Sequence, residues 1–387
     1  MSITDFAMKI FLKITAFLPR AKAIIFESSP NFSDNTYWFF KYLTENTDVA
    51  DRYTLVWILK TDEEFRDELC GKKIKCITRT PKTLKQKLEL YYYTIFAKFI
   101  IDSNSYVKKK NKKQIRVFLG HGMPVKIVMS YNSQKGEVDL NPVTSYTFNS
   151  HFYDCGDTDD NIKALGYCRT DILASDAGKR KNQQTKYIIW MPTYRQHKNG
   201  SSNLSLENSF PLGLPVIKSH DEMQQINECL KENNVILYLR PHPAQDVSIM
   251  KVDEMSNIII ADGEFVSKKG VQLYEFLTQT DALITDYSSV YYDYLMLDRP
   301  IALAVEDFEE FSAKWEMFYN TFDEFKENYK CPYLYTVDDL KKFIADVATD
   351  NDEFEDERIK AKHKFYTYPD NKSCERLYNY MKQEYSL

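Results

Sequence analysis

The segment from Val271 to Val305 constrains the fold of this chain most, because strand-like and helical patterns alternate within it over a short distance. Ala282 to Thr285 is a short apolar run, which is typical of a strand buried on both faces. Helical spacing begins at Val290 and stops before Asp298-Arg299-Pro300, and a second apolar run follows from Ile301 to Val305. This order predicts a helix, a strand, a tight turn, a second helix and a second strand.

Polar residues occupy the predicted turn, namely Asp286, Ser288 and Ser289. The serines fall at a helix N-terminus, where backbone N–H groups, hydroxyls and the helix dipole favour an anion such as phosphate. Serine is also a common N-cap residue, so simple capping is the alternative. This segment alone favours neither interpretation.

Two further predicted strands, Tyr187 to Met191 and Val235 to Leu239, also end in polar residues. In an open parallel sheet, ligands bind at the carboxyl ends of the strands. Guanidinium, imidazole and hydroxyl groups gathered at that edge suit a diphosphate. The candidate residues at the three strand ends are Thr193, Arg195, Arg240, His242, Asp286, Ser288 and Ser289.

The first half of the chain repeats this design. Its strand-like runs alternate with helical or charged segments, which predicts a parallel sheet covered by helices on both faces. These runs are Ala21 to Phe26, Thr54 to Leu59, Lys75 to Thr78, Phe99 to Ile101 and Ile115 to Leu119. Glu27, Asp102 and His121 lie at or just beyond strand ends, so we expect two sheets facing each other across a cleft.

His121 lies between Gly120 and Gly122. Glycines on both sides leave the imidazole exposed, and its ordinary pKa range suits proton transfer at neutral pH. This placement favours a catalytic or ligand-binding role over a structural one. Upstream, a polar loop precedes an aromatic-rich helix that we predict to be capped by Asp34 or Asn35. Tyr146 to Asn149 is interpreted as a short strand.

The length of 387 residues predicts two domains of similar size. The net charge of −5 argues against a general nucleic-acid binder. Seven cysteines without metal-ligand spacing predict free thiols in a reducing cytoplasm. The predicted parts are an amphipathic N-terminal helix (1–20), an N-terminal Rossmann-like domain (21–174), a linker (175–185), a C-terminal Rossmann-like domain (186–350) and a helical segment that packs back across the domains (351–387).

Two basic or amphipathic stretches raise the question of membrane contact. Phe6 to Leu18 has the apolar face of an in-plane membrane helix, or of a helix packed on its own domain. The lysine-rich run at 108–113 fits a solvated loop or attraction to anionic lipid. No apolar run reaches the ~18 to 20 residues of a membrane-spanning helix. The start of the chain also lacks the features of a secretory signal.

Six motifs follow one another along the chain: SSPNFSDN (28–35), GHGMPVK (120–126), LGYCRTD (165–171), MPTYR (191–195), LRPHP (239–243) and ITDYSSVYYDYLMLDRP (284–300). In this order they resemble the CDP-glycerol glycerophosphotransferase family, whose members build teichoic acids and related capsule polymers. The resemblance implies an α/β GT-B architecture with two Rossmann-like domains. It also implies a CDP-linked polyol donor, a lipid-linked saccharide acceptor, no required cofactor or metal, and a peripheral location on the cytoplasmic face of a bacterial membrane.

The resemblance also implies roles for individual residues. His121 would deprotonate the acceptor hydroxyl, which attacks the β-phosphorus of the donor and expels CMP. His242 and Arg240, with Arg195, Ser288 and Ser289, would bind or neutralise the donor diphosphate, and Thr193 and Asp286 lie beside them. Residues expected on the acceptor side or in the cleft are Glu27, Ser33, Asp34, Asn35, Gly122 and Lys126.

The chain departs from the family pattern beside His121. Met123 replaces the usual threonine of the histidine motif, and Gly120 replaces the usual tryptophan. Donor and acceptor identity are therefore left open, between glycerol and ribitol phosphate and between wall polymer and capsule. A GT-B glycosyltransferase that uses a nucleotide sugar is an alternative function. A non-catalytic relative that binds a lipid diphosphate is another, although retention of both His121 and His242 argues against it.

Overall fold

The computed structural model describes residues 15, 17–60, 74–104, 107–127, 137–177, 179, 184–193, 195, 210–242 and 245–387. They divide into two compact units. The first unit takes its residues from 1–121, 129–171 and 372–387, and the second from 122–128 and 172–371. The predicted helix at Phe6 to Leu18 lies largely outside the described residues, and only its end is described.

The first unit is built on a five-stranded parallel sheet with the order β3-β2-β1-β4-β5. A separate parallel pair is formed by β6 and β7. The strands are β1 (Ala21–Glu27), β2 (Thr54–Leu59), β3 (Ile74–Thr78), β4 (Ala97–Asp102), β5 (Ile115–Phe118), β6 (Asn141–Val143) and β7 (Ile162–Ala164). Alternation along β1 sends Ala23 and Ile25 into one apolar core, whereas Phe26 packs on the other face against Phe40 and Trp57.

Helices of the first unit connect these strands and close the chain. They are α1 (Asp34–Asn46), α2 (Val49–Arg52), α3 (Leu84–Phe96), α4 (Asn149–Asp154), α5 (Asp171–Ser175) and, at the C-terminus, α14 (Ser373–Tyr385). Helix α5 begins at the last residue of this unit and continues into the second. Thr83 caps α3 through a reciprocal capping box with Gln86. The carboxylate of Asp171 accepts hydrogen bonds from the backbone of Ser373 and Cys374, and so fastens the start of α14.

The second unit repeats the same strand order in its own five-stranded parallel sheet, β10-β9-β8-β11-β12. Its strands are β8 (Lys186–Trp190), β9 (Val235–Leu239), β10 (Ile258–Ile260), β11 (Ala282–Thr285) and β12 (Ile301–Leu303). In both sheets the order reverses beside the first strand of the unit. The carboxyl edge at this switch point is where open α/β sheets bind ligands.

Helices of the second unit flank this sheet, and a core of aliphatic side chains fills one face of it. They are α6 (His220–Glu232), α7 (Gly263–Lys268), α8 (Leu273–Leu277), α9 (Val290–Tyr294), α10 (Phe308–Ser312), α11 (Phe322–Asn328), α12 (Val337–Ala348) and α13 (Glu355–Phe365). None of the helices in the described parts of either unit has the length and apolar character needed to cross a membrane.

The unit boundaries differ from those expected from the sequence. Residues 122–128 belong to the second unit because their backbone pairs with it: Ile127 N–H donates to the Glu316 carbonyl (2.8 Å), and Phe318 N–H donates to the Val125 carbonyl (3.1 Å). The C-terminal segment is also divided, since α13 belongs to the second unit and α14 to the first.

Three local predictions are wrong. The predicted strand at Tyr146–Asn149 is a 3-10 turn leading into α4, because the Ser145 hydroxyl accepts from Thr147 N–H and starts the turn. The N-cap of α1 is Ser33, and its side chain forms no capping hydrogen bond. Cys76 is disulfide-bonded, whereas all seven cysteines were expected to be free. Spacing along the chain does not reveal which thiols folding brings together.

Candidate active site

The imidazole of His121 is held at the carboxyl edge of the first sheet. Its Nδ1 lies 2.8 Å from Asp34 Oδ2, and Arg169 Nη1 donates to Asp34 Oδ1 at 2.6 Å. On the other side, Nε2 lies 2.7 Å from the side-chain amide nitrogen of Asn104. The His121 side chain is 42% exposed, whereas Asp34 and Arg169 behind it are largely buried. The imidazole therefore faces solvent with a buried ion pair supporting it.

The charge state of Asp34 follows from these contacts. Burial alone would raise the pKa of this carboxyl, but the charge of Arg169 and hydrogen bonds from His121 and Arg169 outweigh burial. The pKa of Asp34 therefore lies well below its ordinary value. Asp34 is a carboxylate at neutral pH, and it is placed to accept a hydrogen bond from His121 Nδ1.

Local backbone geometry places these groups. Gly120 and Gly122 have φ values of +61° and +132°, so the chain turns sharply on both sides of the histidine. Asn35 ties the turn to α1, because its Nδ2 donates to the carbonyls of Leu119 (3.1 Å) and Gly120 (3.3 Å). Asn35 therefore supports the site from behind and is itself buried.

Two other residues expected on the acceptor side do not contact His121 in the recorded hydrogen bonds of the described residues. Glu27 is buried at the end of β1. The Ser33 hydroxyl donates to the Pro30 carbonyl at 2.5 Å. Among the acceptor-side predictions, the structure therefore brings Asp34 and Asn35 to His121, and it uses Ser33 to shape the loop that precedes α1.

At the carboxyl edge of the second sheet, Arg195 lies between two carboxylates. Its guanidinium donates to Asp307 through Nε (3.0 Å) and Nη2 (3.1 Å), and to Asp286 through Nη1. The Arg195 and Asp286 side chains have no exposed area. Burial would lower the pKa of Arg195, but the two aspartates raise it above its ordinary value. Arg195 is therefore a permanently charged, buried group.

Thr193 and Tyr287 complete this buried cluster. Asp286 accepts from both the backbone N–H (2.8 Å) and the hydroxyl (2.6 Å) of Thr193. The Tyr287 hydroxyl donates to Asp307 at 2.9 Å, and the Tyr287 ring stacks on Phe311 with centroids 4.0 Å apart. Because their polar atoms are satisfied internally, Arg195 and Asp286 are placed to shape the loops at this edge. The polar atoms of Arg195 and Asp286 are therefore not exposed for contact with a ligand.

Lys126 lies beside this cluster with its ammonium group above aromatic rings. Its Nζ is 5.5 Å from the ring centroid of Phe311 and 5.3 Å from that of Trp315. Burial lowers the pKa of Lys126; the charge of Asp286 opposes this shift and that of Arg195 adds to it. Within the described residues, its side chain forms no ion pair or hydrogen bond. Lys126 was expected on the acceptor side or in the cleft, and the structure places it with the second sheet.

Four further predicted residues retain accessible polar atoms at this edge. Arg240 is half-buried and donates through Nη1 to the Ala261 carbonyl (2.7 Å), and burial lowers its pKa while Asp262 opposes the shift. His242 is exposed. Ser289 is the N-cap of α9, but its hydroxyl makes no capping bond, and both Ser288 and Ser289 are partly exposed. The capping interpretation of these hydroxyls is therefore weakened.

Three residues that complete the two sites were not predicted from the sequence as site residues. Asn104 follows β4 and Asp307 follows β12, so the rule of polar residues at strand ends could have found both. Arg169 belongs to the LGYCRTD motif, but nothing in that motif indicates a salt bridge to Asp34 across 135 positions of the chain.

Comparison with known proteins connects this chain to a family. The family model described as CDP-Glycerol:Poly(glycerophosphate) glycerophosphotransferase matches residues 10–383. The chain is 26% identical to the teichoic acid ribitol-phosphate polymerase TarK of Staphylococcus aureus over 57% of the chain, and 24% identical to a teichoic acid poly(glycerol phosphate) polymerase of Bacillus spizizenii over 81%. It spans 40% of the length of the first relative and 82% of the second.

A solved structure gives the same result for the fold. A variant of the wall teichoic acid polymerase TagF, soaked with CDPG, matches 100% of this chain and 99% of its own with a TM-score of 0.72 at 18% identity. This likeness confirms the predicted GT-B-like α/β fold with two Rossmann-like sheets. Because the family model covers nearly the whole chain, the protein belongs to the CDP-glycerol:poly(glycerophosphate) glycerophosphotransferase family, a family of transferases.

Proposed function

We propose that this protein transfers a polyol phosphate from a CDP-linked donor to a hydroxyl of a lipid-linked teichoic-acid or capsule precursor and releases CMP. The observation that carries this proposal is the Asp34–His121 pair. A half-exposed imidazole is hydrogen-bonded at 2.8 Å to a buried carboxylate, as a general base requires. The choice of a CDP-linked polyol as donor is supported by family membership.

In the proposed reaction, His121 takes the proton of the acceptor hydroxyl as its oxygen attacks the β-phosphorus of the donor. An O–P bond forms, and the anhydride bond to the α-phosphate breaks with CMP as the leaving group. The imidazolium that forms on His121 is then stabilised by the negative charge of Asp34. Such chemistry depends on positioning and on cationic stabilisation of phosphate charge.

Donor contacts are proposed for the groups that remain accessible in the second unit. Lys126, Arg240 and His242 supply positive charge or N–H donors, and the hydroxyls of Ser288 and Ser289 supply further donors. Arg195, Asp286 and Thr193 hold the loops in place from beneath. This division revises the expectation from the sequence, in which Arg195 itself contacts the diphosphate.

We further propose that transfer requires no metal ion or other cofactor, because these cationic side chains can neutralise the diphosphate. Turnover of the CDP-polyol is compared after exhaustive EDTA treatment and after addition of Mg²⁺. Equal rates support the proposal, and strict dependence on Mg²⁺ contradicts it.

The test of function is turnover with CDP-glycerol, CDP-ribitol and UDP-glucose in the presence of a lipid-linked acceptor. CMP release with a phosphate-linked product supports the proposal. A nucleoside diphosphate with a glycoside product supports a glycosyltransferase, and binding without turnover supports a non-catalytic relative. His121→Ala is expected to lower the rate at least ~100-fold with donor affinity retained. His363→Ala, at an exposed histidine of α13, is the matched control.

For the membrane surface, we propose contact through an exposed stripe of α3, formed by Leu84, Leu88, Tyr91 and Tyr92. These side chains are 73%, 60%, 51% and 49% exposed and recur at helical spacing. Exposed apolar groups in such a row are typical of interaction surfaces. Exposed lysines adjoin the stripe at positions 82, 85 and 87, as expected for a helix on an anionic bilayer.

The stripe continues beyond the last turn of α3. Phe17 is 85% and Leu18 44% exposed, and Arg20 links them to this turn by donating to the Ile95 carbonyl at 2.6 Å. Lys113, from the basic run, reaches the Phe17 carbonyl at 3.5 Å. The end of the predicted amphipathic segment, the basic run and α3 therefore contribute to one face of the first unit.

Vesicle sedimentation tests this surface, with vesicles of phosphatidylcholine alone and with phosphatidylglycerol added. Leu84→Gln with Leu88→Gln is expected to weaken binding to anionic vesicles at least ~10-fold, because two large apolar side chains no longer leave water. Tyr335→Gln with Tyr368→Gln, at two exposed tyrosines of the second unit, is the control. Equal binding of the leucine variant and the wild type contradicts the proposal.

A further inference from the structure

Asn104 lies in the turn after β4, directly in front of the proposed base. Its side-chain Oδ1 accepts a hydrogen bond from Ser29 N–H at 2.6 Å. This bond orients the amide, so that the NH₂ group points at His121 Nε2, 2.7 Å away. Because an amide NH₂ only donates, this contact requires a lone pair on Nε2. The proton of the neutral imidazole then resides on Nδ1, where it is donated to Asp34.

We propose that Asn104 is a positioning residue that sets the tautomer of His121 and aligns the acceptor hydroxyl with Nε2. The proposal rests on the proposed function, since it assigns a task within the same proton transfer. Asp34 accepts a hydrogen bond from Nδ1, and Asn104 donates one to Nε2. Only the tautomer with an unprotonated Nε2 satisfies both partners, and Nε2 is the nitrogen that takes the proton of the acceptor hydroxyl in the proposed reaction.

Asn104 also provides a place for the hydroxyl. Nε2 has one lone pair, so an entering hydroxyl replaces the direct Asn104–Nε2 hydrogen bond: it donates its proton to Nε2 and accepts a hydrogen bond from the Asn104 amide instead. The N–H of Asn104 then remains on this oxygen as it attacks phosphorus, while the proton moves to Nε2 and the anhydride bond to CMP breaks. One lone pair of the oxygen is thereby held by the amide and another is directed at the donor.

The two ring nitrogens of His121 have partners of opposite hydrogen-bonding character. Asp34 favours the protonated imidazole, whereas the NH₂ of Asn104 would meet a second N–H if Nε2 were protonated. Arg169 neutralises part of the Asp34 charge through its bond at 2.6 Å. Among described residues, Asp34 and Arg169 are the charged side chains recorded in this network. The Asn104 amide therefore calls for a lone pair on Nε2 even though a carboxylate lies at Nδ1.

The decisive variant is Asn104→Asp, which keeps the size of the side chain and the acceptor for Ser29 N–H. It replaces the donor facing Nε2 with an acceptor, so the protonated imidazole is bound from both sides. We expect turnover at neutral pH to fall ~100-fold and the acid limb of the pH–rate profile to move at least ~1 pH unit upward, with activity recovered in part at higher pH. Asn320→Asp, at an exposed site, provides the same change in charge as a control.

A second measurement does not depend on turnover. Long-range ¹H–¹⁵N spectra of the full chain report which ring nitrogen of His121 carries the proton, with His121→Gln used to assign the signal. We expect Nδ1–H in the wild type and a doubly protonated ring in Asn104→Asp at the same pH. Nε2–H in the wild type, or an unchanged tautomer and pH profile in Asn104→Asp, would overturn the proposal. Absence of wild-type turnover with either CDP-polyol would instead refute the proposed function, and the spectra would still decide the role of Asn104.

Discussion

The two sheets carry an arginine–carboxylate pair at the same edge, but the pairs have different tasks. In the first unit, Arg169 and Asp34 support an imidazole that remains 42% exposed. In the second unit, Arg195 and Asp286 have no exposed area, and Asp307 and aromatic rings enclose them further. The first pair therefore acts on a group that meets solvent, whereas the second pair is an internal support.

This difference shows that a charged residue in a motif can serve the site without touching a ligand. A buried ion pair is stable only when its remaining polar atoms are satisfied, and Thr193, Asp286 and Asp307 satisfy Arg195. Lys126 has the opposite setting, because it is partly exposed above Phe311. In the second unit, part of the ligand-facing charge is thus expected from Lys126, which the sequence did not assign to the donor.

Arg195→Met should have the largest effect, on stability. It leaves Asp286 and Asp307 buried without their cation, so we expect the free energy of unfolding of the second unit to fall by about 3–5 kcal/mol. Urea unfolding followed by the fluorescence of Trp190 and Trp315 measures this loss. Arg240→Met, which removes one hydrogen bond to a carbonyl, should cost only about 1 kcal/mol. A fully stable Arg195→Met protein with weak donor binding would make Arg195 a ligand contact and break the comparison.

Asp34→Asn should have the next largest effect, on catalysis. The amide cannot stabilise the imidazolium as the carboxylate does, so we expect kcat to fall about 100-fold with little change in donor KM. Steady-state kinetics with the CDP-polyol measure both parameters, and Asp253→Asn is an exposed control. Because the pKa of Asp34 is lowered by folding, its stabilising contribution is full above the unfolded value of about 4 and is lost as the pH falls through the folded value. A rise in donor KM alone would place Asp34 at the donor.

Lys126→Met should affect donor binding more moderately. Loss of a charged hydrogen bond to phosphate is expected to raise donor KM roughly 10- to 100-fold, with acceptor KM unchanged. Donor affinity in the wild type should also fall as the pH rises through the lowered pKa of Lys126, and this dependence should be absent in the variant. Lys330→Met, at an exposed lysine, is the control. A rise in acceptor KM instead would return Lys126 to the acceptor side.

Ser289→Ala should have the smallest effect. One neutral hydrogen bond contributes about 1 kcal/mol, so we expect donor affinity to fall about fivefold in a calorimetric titration. The free energy of unfolding should be unchanged, because the hydroxyl makes no capping bond in α9. Ser267→Ala in α7 is the control. Lower stability with full donor affinity would restore the capping interpretation.

Much of the fold follows from local patterns. The strand at Val235–Leu239 has the predicted bounds, and the strand at Ala282–Thr285 is buried along its whole length as its apolar run indicates. Buried parallel strands leave this signal because both faces must be apolar. Tyr146–Asn149 misled the interpretation because β-branched and aromatic composition also fits a turn that a serine initiates.

The candidate site was predictable only in part. His121 between glycines was identified from its neighbours along the chain, and the structure gives it the expected exposed setting. The roles of Asn104, Asp34 and Arg169 depend on contacts across 17 to 135 positions, which no local pattern encodes. Lys126 belongs to the 122–128 segment, which joins the second unit through backbone pairing, and the motif does not indicate this pairing.

Residue periodicity and motif order predicted β1–β5, β8, β9, β11 and β12, helices such as α1 and α9, the polar groups at strand ends and the family resemblance, whereas β6, β7 and β10 were missed. The three-dimensional contacts were needed to separate buried, internally paired charges such as Arg195 from partly exposed ones such as Lys126. Burial and hydrogen-bond partners set the protonation and availability of Asp34, Arg195 and Lys126, and both arise from packing between distant segments. A motif therefore specifies which chemical groups lie at the site, and the fold determines the burial and the hydrogen-bond partners of each group.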